Sequence, residues 1–481
     1  LRPVISFISL IRKSLAITLT IRLKISPGKI SLATKVMIES SISITLMMIL
    51  FYSVIKRSHN MVASVRIQSL IEIHLINFNY ADIMTIHLLP TLGSIANIID
   101  MINPRLNLHH VRTAFIASHL AKLVDFSAAQ RRKTILAALI HDVGGLNEKS
   151  RLEPLNYIDN EHNHHALIGS ELLSRIPLFR PLNKIVRYHH THWRNGLGHY
   201  SEGERVPEES HLLFFADRLD VLYCQHRTEH IPLLSKKLVD IAAAGAPILY
   251  KQEYIQAFRI LSADDHFWSV MASTDYRDYI KAISGVHNDT LSLHNLRDIA
   301  ELVSFIIDQF SQQTPWHSAA VGHIAGYLAT KMEMSATQAL KVEIGGLLHN
   351  ISCLDHSPPP KRVGLSDKAQ RYFYPIEGID DISEWLAMQN DPASAQWHNK
   401  TLQPEAMLIA VSRRVVHALN GPKAEEKSLA QLIKNNPGEE IPPLMLALIA
   451  QYSSQIIQIH RATAGEIKKL VNRIAQLTHS V

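Results

Sequence analysis

Two stretches of this chain repeat each other at a fixed distance of 208 residues, without a gap. The matches are Ile98-Ile99-Asp100 with Ile306-Ile307-Asp308, His109 with His317, Ser127 to Gln130 with Ser335 to Gln338, Lys133 with Lys341, and Leu139 to Asp142 with Leu347 to Asn350. Two unrelated helical hairpins would not keep both the cap residues and the histidine spacing. The pattern therefore predicts an internal duplication, and both halves of the chain must be able to adopt one fold.

The repeated stretch has the pattern of two consecutive helices. In the first copy an apolar stripe at helical spacing is formed by Val111, Phe115, Ile116, Leu120 and Leu123. Ser127 with Gln130 then predicts a capping box at the start of the next helix, and Ser335 with Gln338 predicts the same in the second copy. Most of 92–310 and 320–475 has the pattern of helices, and strand signals are sparse. We expect an all-α fold.

The composition bounds the class of protein. A chain of 481 residues with 47% hydrophobic and 19% charged residues suits a globular protein of two or three domains. Its two cysteines, Cys224 and Cys353, are far apart and form no CxxC motif. They predict a reducing compartment, and we expect a cytoplasmic protein.

Positive charge is concentrated at the start of the chain. Residues 1–60 hold nine Lys or Arg and one acid, a charge of +8, so a total of +6 leaves −2 for the remainder. No global basic field attracts nucleic acid, and we expect no nucleic-acid partner. The apolar run Ile42–Ile55 has 14 residues, short of the ~20 that span a membrane. Three interpretations of the leader stay open: a translation or fragment artefact, a membrane-proximal anchor, and a genuine soluble segment.

A candidate site begins with His141-Asp142, which closes the apolar run of residues 135–140. Adjacent imidazole and carboxylate groups can bind one divalent metal, and the carboxylate can also reach a second. One such histidine alone is more often a hydrogen-bonded core residue. The order of the neighbouring candidates changes that balance: His109 precedes the pair, and His165, His189, His190 and Asp217 follow it.

These residues resemble the HD superfamily of metal-dependent phosphohydrolases, and residues 98–230 are most similar to its HD-GYP branch. The matching motifs are His109-x-x-Arg112, His141-Asp142-Val143-Gly144, His165-Ala-Leu-Ile-Gly169, Val186 to His190 with Trp193, and Phe215 to Asp220. The resemblance implies tandem HD-type helical domains: an uncertain leader at 1–83, an HD-GYP-like domain at 84–285, and a degenerate HD-like domain at 286–481.

The resemblance also implies two divalent transition metals, with Fe or Mn expected. His109, His141, Asp142 and Asp217 would hold one metal, and Asp142 would bridge to a second held by His165, His189 and His190. His141 and Asp142 would be the catalytic residues, with hydroxide generated between the metals.

This chain departs from the branch at several positions. Gly145 replaces a Lys, Thr191 replaces an acid, and the Gly-Tyr-Pro signature is absent. Arg105 stands where members with a third metal carry Glu. In the second copy Asn350 replaces the bridging aspartate and Ser412 stands for Asp217, which predicts a metal-free structural or regulatory partner.

The expected function is a metal-dependent phosphodiesterase acting on a phosphate-ester small molecule, with cyclic di-GMP as the leading substrate. One alternative is a hydrolase of another nucleotide or of a guanosine polyphosphate. The other is a non-catalytic tandem HD module that binds a nucleotide or a signalling protein. Membrane contact is expected only if the leader is genuine.

Overall fold

The computed structural model describes residues 86–102, 104–147, 150, 164–283, 289–311, 313–351, 379–389, 403–436 and 441–479. All of them belong to one compact unit, Thr85–Val481. The predicted leader 1–83 lies outside the described residues. The fold is all-α, as the sequence predicts, because nearly all regular structure among the described residues is helical.

The first half of the unit is built from ten helices among its described residues. They are α1 (Leu88–Asp100), α2 (His109–Leu123), α3 (Ala128–Ala138), α4 (His164–Ser174), α5 (Asn183–Arg187), α6 (Glu208–His226), α7 (Ile231–Gly245), α8 (Gln252–Leu261), α9 (Asp265–Met271) and α10 (Tyr276–Ala282). Short 3-10 helices lie at Pro104–Leu106, Arg180–Leu182 and Arg194–His199. Helices α2, α3 and α6 pack against one another and carry much of the site described below.

Local sequence explains how α2 and α3 begin and end. Ser127 and Gln130 form the predicted capping box at the start of α3. On α2, Val111, Phe115, Ile116 and Leu120 are buried as their spacing predicts. Leu123 is 39% exposed, so its assignment to the buried stripe was wrong. It is the last residue of α2, where the helix leaves its neighbours.

The second half repeats this arrangement. Its helices are α11 (Leu293–Phe310), α12 (His317–Lys331), α13 (Ala336–Leu348), α14 (Asp380–Gln389), α15 (Pro404–Leu419), α16 (Glu425–Asn435), α17 (Pro443–Gln451) and α18 (Ser453–His479). Ser335 and Gln338 form the second capping box. Helices α12, α13 and α15 pack together as α2, α3 and α6 do.

Individual contacts repeat as well. Asp100 accepts a hydrogen bond from the backbone nitrogen of His110, and Asp308 accepts one from that of Ser318. These positions are again 208 residues apart. Both the packing and the polar contacts therefore agree with a duplication.

Two short strand pairs complete the described structure. The pair β1 (Ile86–His87) and β4 (Thr290–Leu291) is antiparallel and places Ile86 opposite Leu291, which joins the start of the first half to the start of the second. The pair β2 (Tyr200–Ser201) and β3 (Glu204–Arg205) forms an antiparallel hairpin. Among the described residues, none of the helices has the length and apolar character required to cross a bilayer.

Candidate metal centre

Five segments bring the seven predicted ligands together. His109 begins α2, His141 and Asp142 lie in the turn after α3, and His165 lies in the first turn of α4. The pair His189-His190 follows α5, and Asp217 lies in the middle of α6. Every one of the seven residues is buried, with exposed fractions of 5% or less.

The side chain of Asp142 faces two groups of donors. Its Oδ2 lies 3.5 Å from His141 Nε2 and 3.9 Å from His109 Nε2. Its Oδ1 lies 3.3 Å from His165 Nε2 and 3.5 Å from His189 Nε2. One carboxylate therefore stands between two clusters of imidazoles, which is the position required of a bridging ligand.

Each group is compact by itself. In the first, His109 Nε2 lies 3.3 Å from His141 Nε2 and 3.4 Å from Asp217 Oδ1. In the second, His165 Nε2 lies 2.9 Å from His190 Nε2. Donor atoms held ~2.1 Å from one ion at a tetrahedral angle would lie about 3.4 Å apart, so both groups have the spacing of a metal coordination sphere.

Buried polar atoms without a hydrogen-bond partner provide a second test of this fit. Three such atoms in the site are buried and have no hydrogen-bond partner: Asp142 Oδ1, His189 Nε2 and Asp217 Oδ1. Leaving such atoms unpaired costs about 1–3 kcal/mol each. Cations bound between the imidazoles and carboxylates would satisfy these atoms together, and the donor set fits a transition metal.

The outward-facing ring nitrogens are held by other groups. His109 Nδ1 lies 2.7 Å from Asp220 Oδ2, and the Nδ1 atoms of His141 and His189 lie 2.9 Å and 2.6 Å from the carbonyl oxygens of Ala138 and Val186. These contacts favour the tautomers in which Nδ1 donates its hydrogen. The lone pair on Nε2 then points into the site, as metal ligation requires.

Two buried arginines orient the carboxylates. Arg112 donates to Asp220, with Nε 2.5 Å from Oδ1, and Arg218 donates to Asp217 Oδ2 at 2.7 Å. Asp217 Oδ1 is thereby left to face His109. Asp220 and Arg218 were not among the residues predicted for the site, and Arg112 was predicted only as part of a motif without a role. Asp220 follows Asp217 by three positions on α6, and Arg112 follows His109 by three on α2, so helical spacing was the available signal.

One further histidine belongs to the cluster and was missed. His110, His141 and Asp142 form a third group of potential ligands. His110 Nδ1 lies 2.5 Å from Asp100 Oδ1, while its Nε2 is buried without a hydrogen-bond partner. Because His110 is adjacent to His109, the sequence pattern alone could not show which of them faces the site.

The protonation of the cluster follows from its burial. Burial lowers the pKa of His141 and His190 well below the usual range, and neighbouring histidines lower it further. Burial opposes charge on Asp142, but His141 and His165 outweigh it and hold its pKa well below the usual range. Burial also opposes charge on His109, where the hydrogen bond and charge of Asp220 raise the pKa to about 9. Neutral His141 and His190 beside an ionised Asp142 are the form that binds metal, whereas His109 would have to release its proton before its Nε2 could bind.

The close packing of the metal-centre turn depends on Gly144. A β-carbon at this position would lie 2.0 Å from the carbonyl oxygen of His165 and 2.3 Å from the backbone nitrogen of Gly169. The turn that carries His141 and Asp142 thus rests directly on the backbone of α4. Neither Gly144 nor Gly145 has a positive φ, so the turn needs the small size of Gly144 rather than a left-handed backbone.

The sequence profile of the HD domain family matches residues 108–222, which include all seven predicted ligands and Asp220. This segment is therefore an HD domain of the phosphohydrolase superfamily. HD domains bind divalent metals, in agreement with the His and Asp clusters found here.

Two proteins of Vibrio cholerae are similar to this chain. The 3'3'-cGAMP-specific phosphodiesterase 1 of serotype O1 (strain ATCC 39315 / El Tor Inaba N16961) is 24% identical over 263 residues, which is 52% of this chain and 59% of the relative. The chain thus spans less than two thirds of this curated relative. A crystal structure of a cyclic GMP-AMP specific phosphodiesterase aligns with 77% of this chain and 98% of its own, with 17% identity and a TM-score of 0.49.

Proposed function

We propose that the first half of this chain is a metal-dependent phosphodiesterase that hydrolyses a cyclic dinucleotide. The observation that carries the proposal is the position of Asp142, whose two oxygens face two separate groups of buried imidazoles. The named activity of the V. cholerae relative supports the choice of a cyclic dinucleotide over other phosphate esters.

The residues would hold two transition metals, with Fe or Mn expected from the histidine-rich donor set. His109, His141, Asp142 and Asp217 would hold one metal, and Asp142, His165, His189 and His190 the other. When bound, such a pair generates hydroxide from water near neutral pH and offsets charge on phosphoryl oxygens.

The chain's own residues supply positioning and charge balance. Arg218 fixes Asp217, Asp220 fixes His109, and Arg112 fixes Asp220, so the donors are aligned before a substrate arrives. His141 and Asp142 are the catalytic residues of this proposal, because His141 would be a ligand of one metal and Asp142 would be shared by both. The neutral imidazoles leave a net positive site once metals are bound, which suits an anionic phosphodiester.

Two cyclic dinucleotides are candidate substrates. Cyclic di-GMP is the prediction from the HD-GYP resemblance, and 3'3'-cGAMP is the substrate in the name of the relative. The absence of the Gly-Tyr-Pro signature and of the Lys at Gly145 weakens the case for cyclic di-GMP.

The test is hydrolysis of both cyclic dinucleotides, a linear dinucleotide and a guanosine polyphosphate by the purified full chain with Mn or Fe. We expect metal-dependent cleavage of at least one cyclic dinucleotide, abolished by His165→Ala. His119→Ala is the control, because His119 bonds the carbonyl of Phe115 and lies outside the ligand groups. A protein that binds no metal and cleaves none of these substrates would contradict the proposal and favour the non-catalytic binding module.

A further inference from the structure

The second half contains a cavity of about 440 Å³ where the first half has its metal centre. His317 lines it from the first position of α12, as His109 begins α2. Asn350 also lines it and follows His349, as Asp142 follows His141. The cavity thus occupies the position equivalent to the ligands of the first half.

Its charge is the reverse of that in the metal centre. The charged side chains of its lining are Arg413 and Arg414, joined by His417, and the lining includes no carboxylate. Arg413 directly follows Ser412, the residue that the sequence predicts at the Asp217 position.

The charge of Arg413 is not balanced by an acid, because no carboxylate among the described residues forms an ion pair with it. Burial lowers the pKa of Arg414 and the adjacent Arg413 lowers it further. Burial, followed by the charges of Arg413, His417 and His460, lowers the pKa of His317 to about 4. A divalent cation would be repelled here, whereas an anion would be stabilised.

Buried polar atoms give an independent indication of a missing ligand. His317 Nδ1 and His349 Nε2 have no hydrogen-bond partner, although both side chains are only 2% exposed. The rings lie 5.3 Å apart between centroids, close to the 5.2 Å between His109 and His141. The pair has kept the ring spacing of the first half, whereas Asn350 stands in place of Asp142 and Arg413 lines the cavity.

We propose that this cavity binds a phosphate-bearing anion of about the size of a mononucleotide. Guanidinium groups recognise phosphate through paired, charge-assisted hydrogen bonds, and Arg413 lines the cavity with such a group while Arg414 adds a second positive charge. The volume of about 440 Å³ lies within the ~300–1,000 Å³ typical of small-molecule sites. None of the cavity's lining residues belongs to the proposed metal centre, so anion binding here is independent of the metals.

The test is calorimetric titration of the full chain, treated with a chelator, with inorganic phosphate, GMP and guanosine. We expect saturable binding of phosphate or GMP at one site per chain, and none of guanosine. Tighter binding of GMP than of phosphate would show contacts to the nucleoside, and equal binding would show recognition of the phosphate group alone; either supports the proposal. An anion bound to metals in the first half would not bind to the chelator-treated protein, so binding after this treatment reports the second-half cavity.

Arg413→Gln should weaken binding about tenfold or more, since a charge-assisted hydrogen bond contributes about 1.5–3 kcal/mol. Arg259→Gln is the matched control, because Arg259 is exposed on α8. If Arg413→Gln disturbs the fold, Arg413→Lys retains the charge without the paired geometry and should still bind more weakly than the native chain. The proposal is overturned if the chelated protein binds neither anion, or if a folded Arg413 variant binds with native affinity.

Discussion

Replacing Asp142 with asparagine tests the metal centre most directly. The substitution keeps the size of the side chain and removes the one charge that both donor groups share. The second half already carries this residue at the equivalent position, Asn350. We expect Asp142→Asn to lose both metals while the fold remains helical, because each oxygen faces a different group at 3.3–3.9 Å.

The magnitude follows from the role of the carboxylate. Substituting a residue that only orients a ligand typically lowers metal affinity about 10–100-fold. A ligand shared by two ions should cost at least the upper end of that range, about 2.7 kcal/mol for each site. The same substitution should abolish metal-dependent hydrolysis, since neither position would remain filled at ordinary metal concentrations.

The assay is metal content by elemental analysis after dialysis, followed by competition with a chelator of known affinity. Asp240→Asn is the control, because Asp240 is exposed on α7 away from the ligand groups. The native chain and the control should hold two metals, and Asp142→Asn should hold fewer than one. An Asp142→Asn protein that keeps two metals at native affinity would refute the bridging assignment.

Three further predictions concern the packing, the second half and pH. Gly144→Ala should destabilise the protein by about 1–3 kcal/mol in urea denaturation and reduce metal content, because a β-carbon would overlap the backbone of α4; native stability would contradict this. His349→Ala should retain hydrolysis, since His349 lies outside the proposed catalytic half; a folded but inactive variant would show that the second half takes part in the chemistry. Burial raises the pKa of Asp308 from 3.8 to about 7, so the folded state holds its proton more tightly than the unfolded chain does. That stabilisation is complete below about pH 4 and is lost as the pH rises to 7, by roughly 4 kcal/mol. Asp308→Asn stays neutral and should lose less stability than the native chain between pH 4.5 and 7.5 in urea titrations; identical losses would contradict the assignment.

The sequence by itself determined the helical class, the caps and the candidate ligand residues, which the structure brings together. Capping boxes and apolar stripes are local, because they depend on residues three or four positions apart. Ser127 with Gln130 and Ser335 with Gln338 therefore form the predicted caps. The order of histidines and aspartates along the chain indicated the site, because a metal centre requires these residue types and only a few other side chains can replace them.

Only the tertiary structure decided how distant side chains pair. The contact between His109 and Asp220 joins residues 111 positions apart, and no local pattern specifies which carboxylate reaches which ring nitrogen. No local pattern specifies that Asp142 Oδ2 faces His141 while its Oδ1 faces His165, or that His110 lies beside His141. The same is true of Arg413, which was assigned no role until the packing of α12, α13 and α15 placed it in a cavity with His317. Helix packing sets these distances, because the rotation of each helix decides which of its side chains meet.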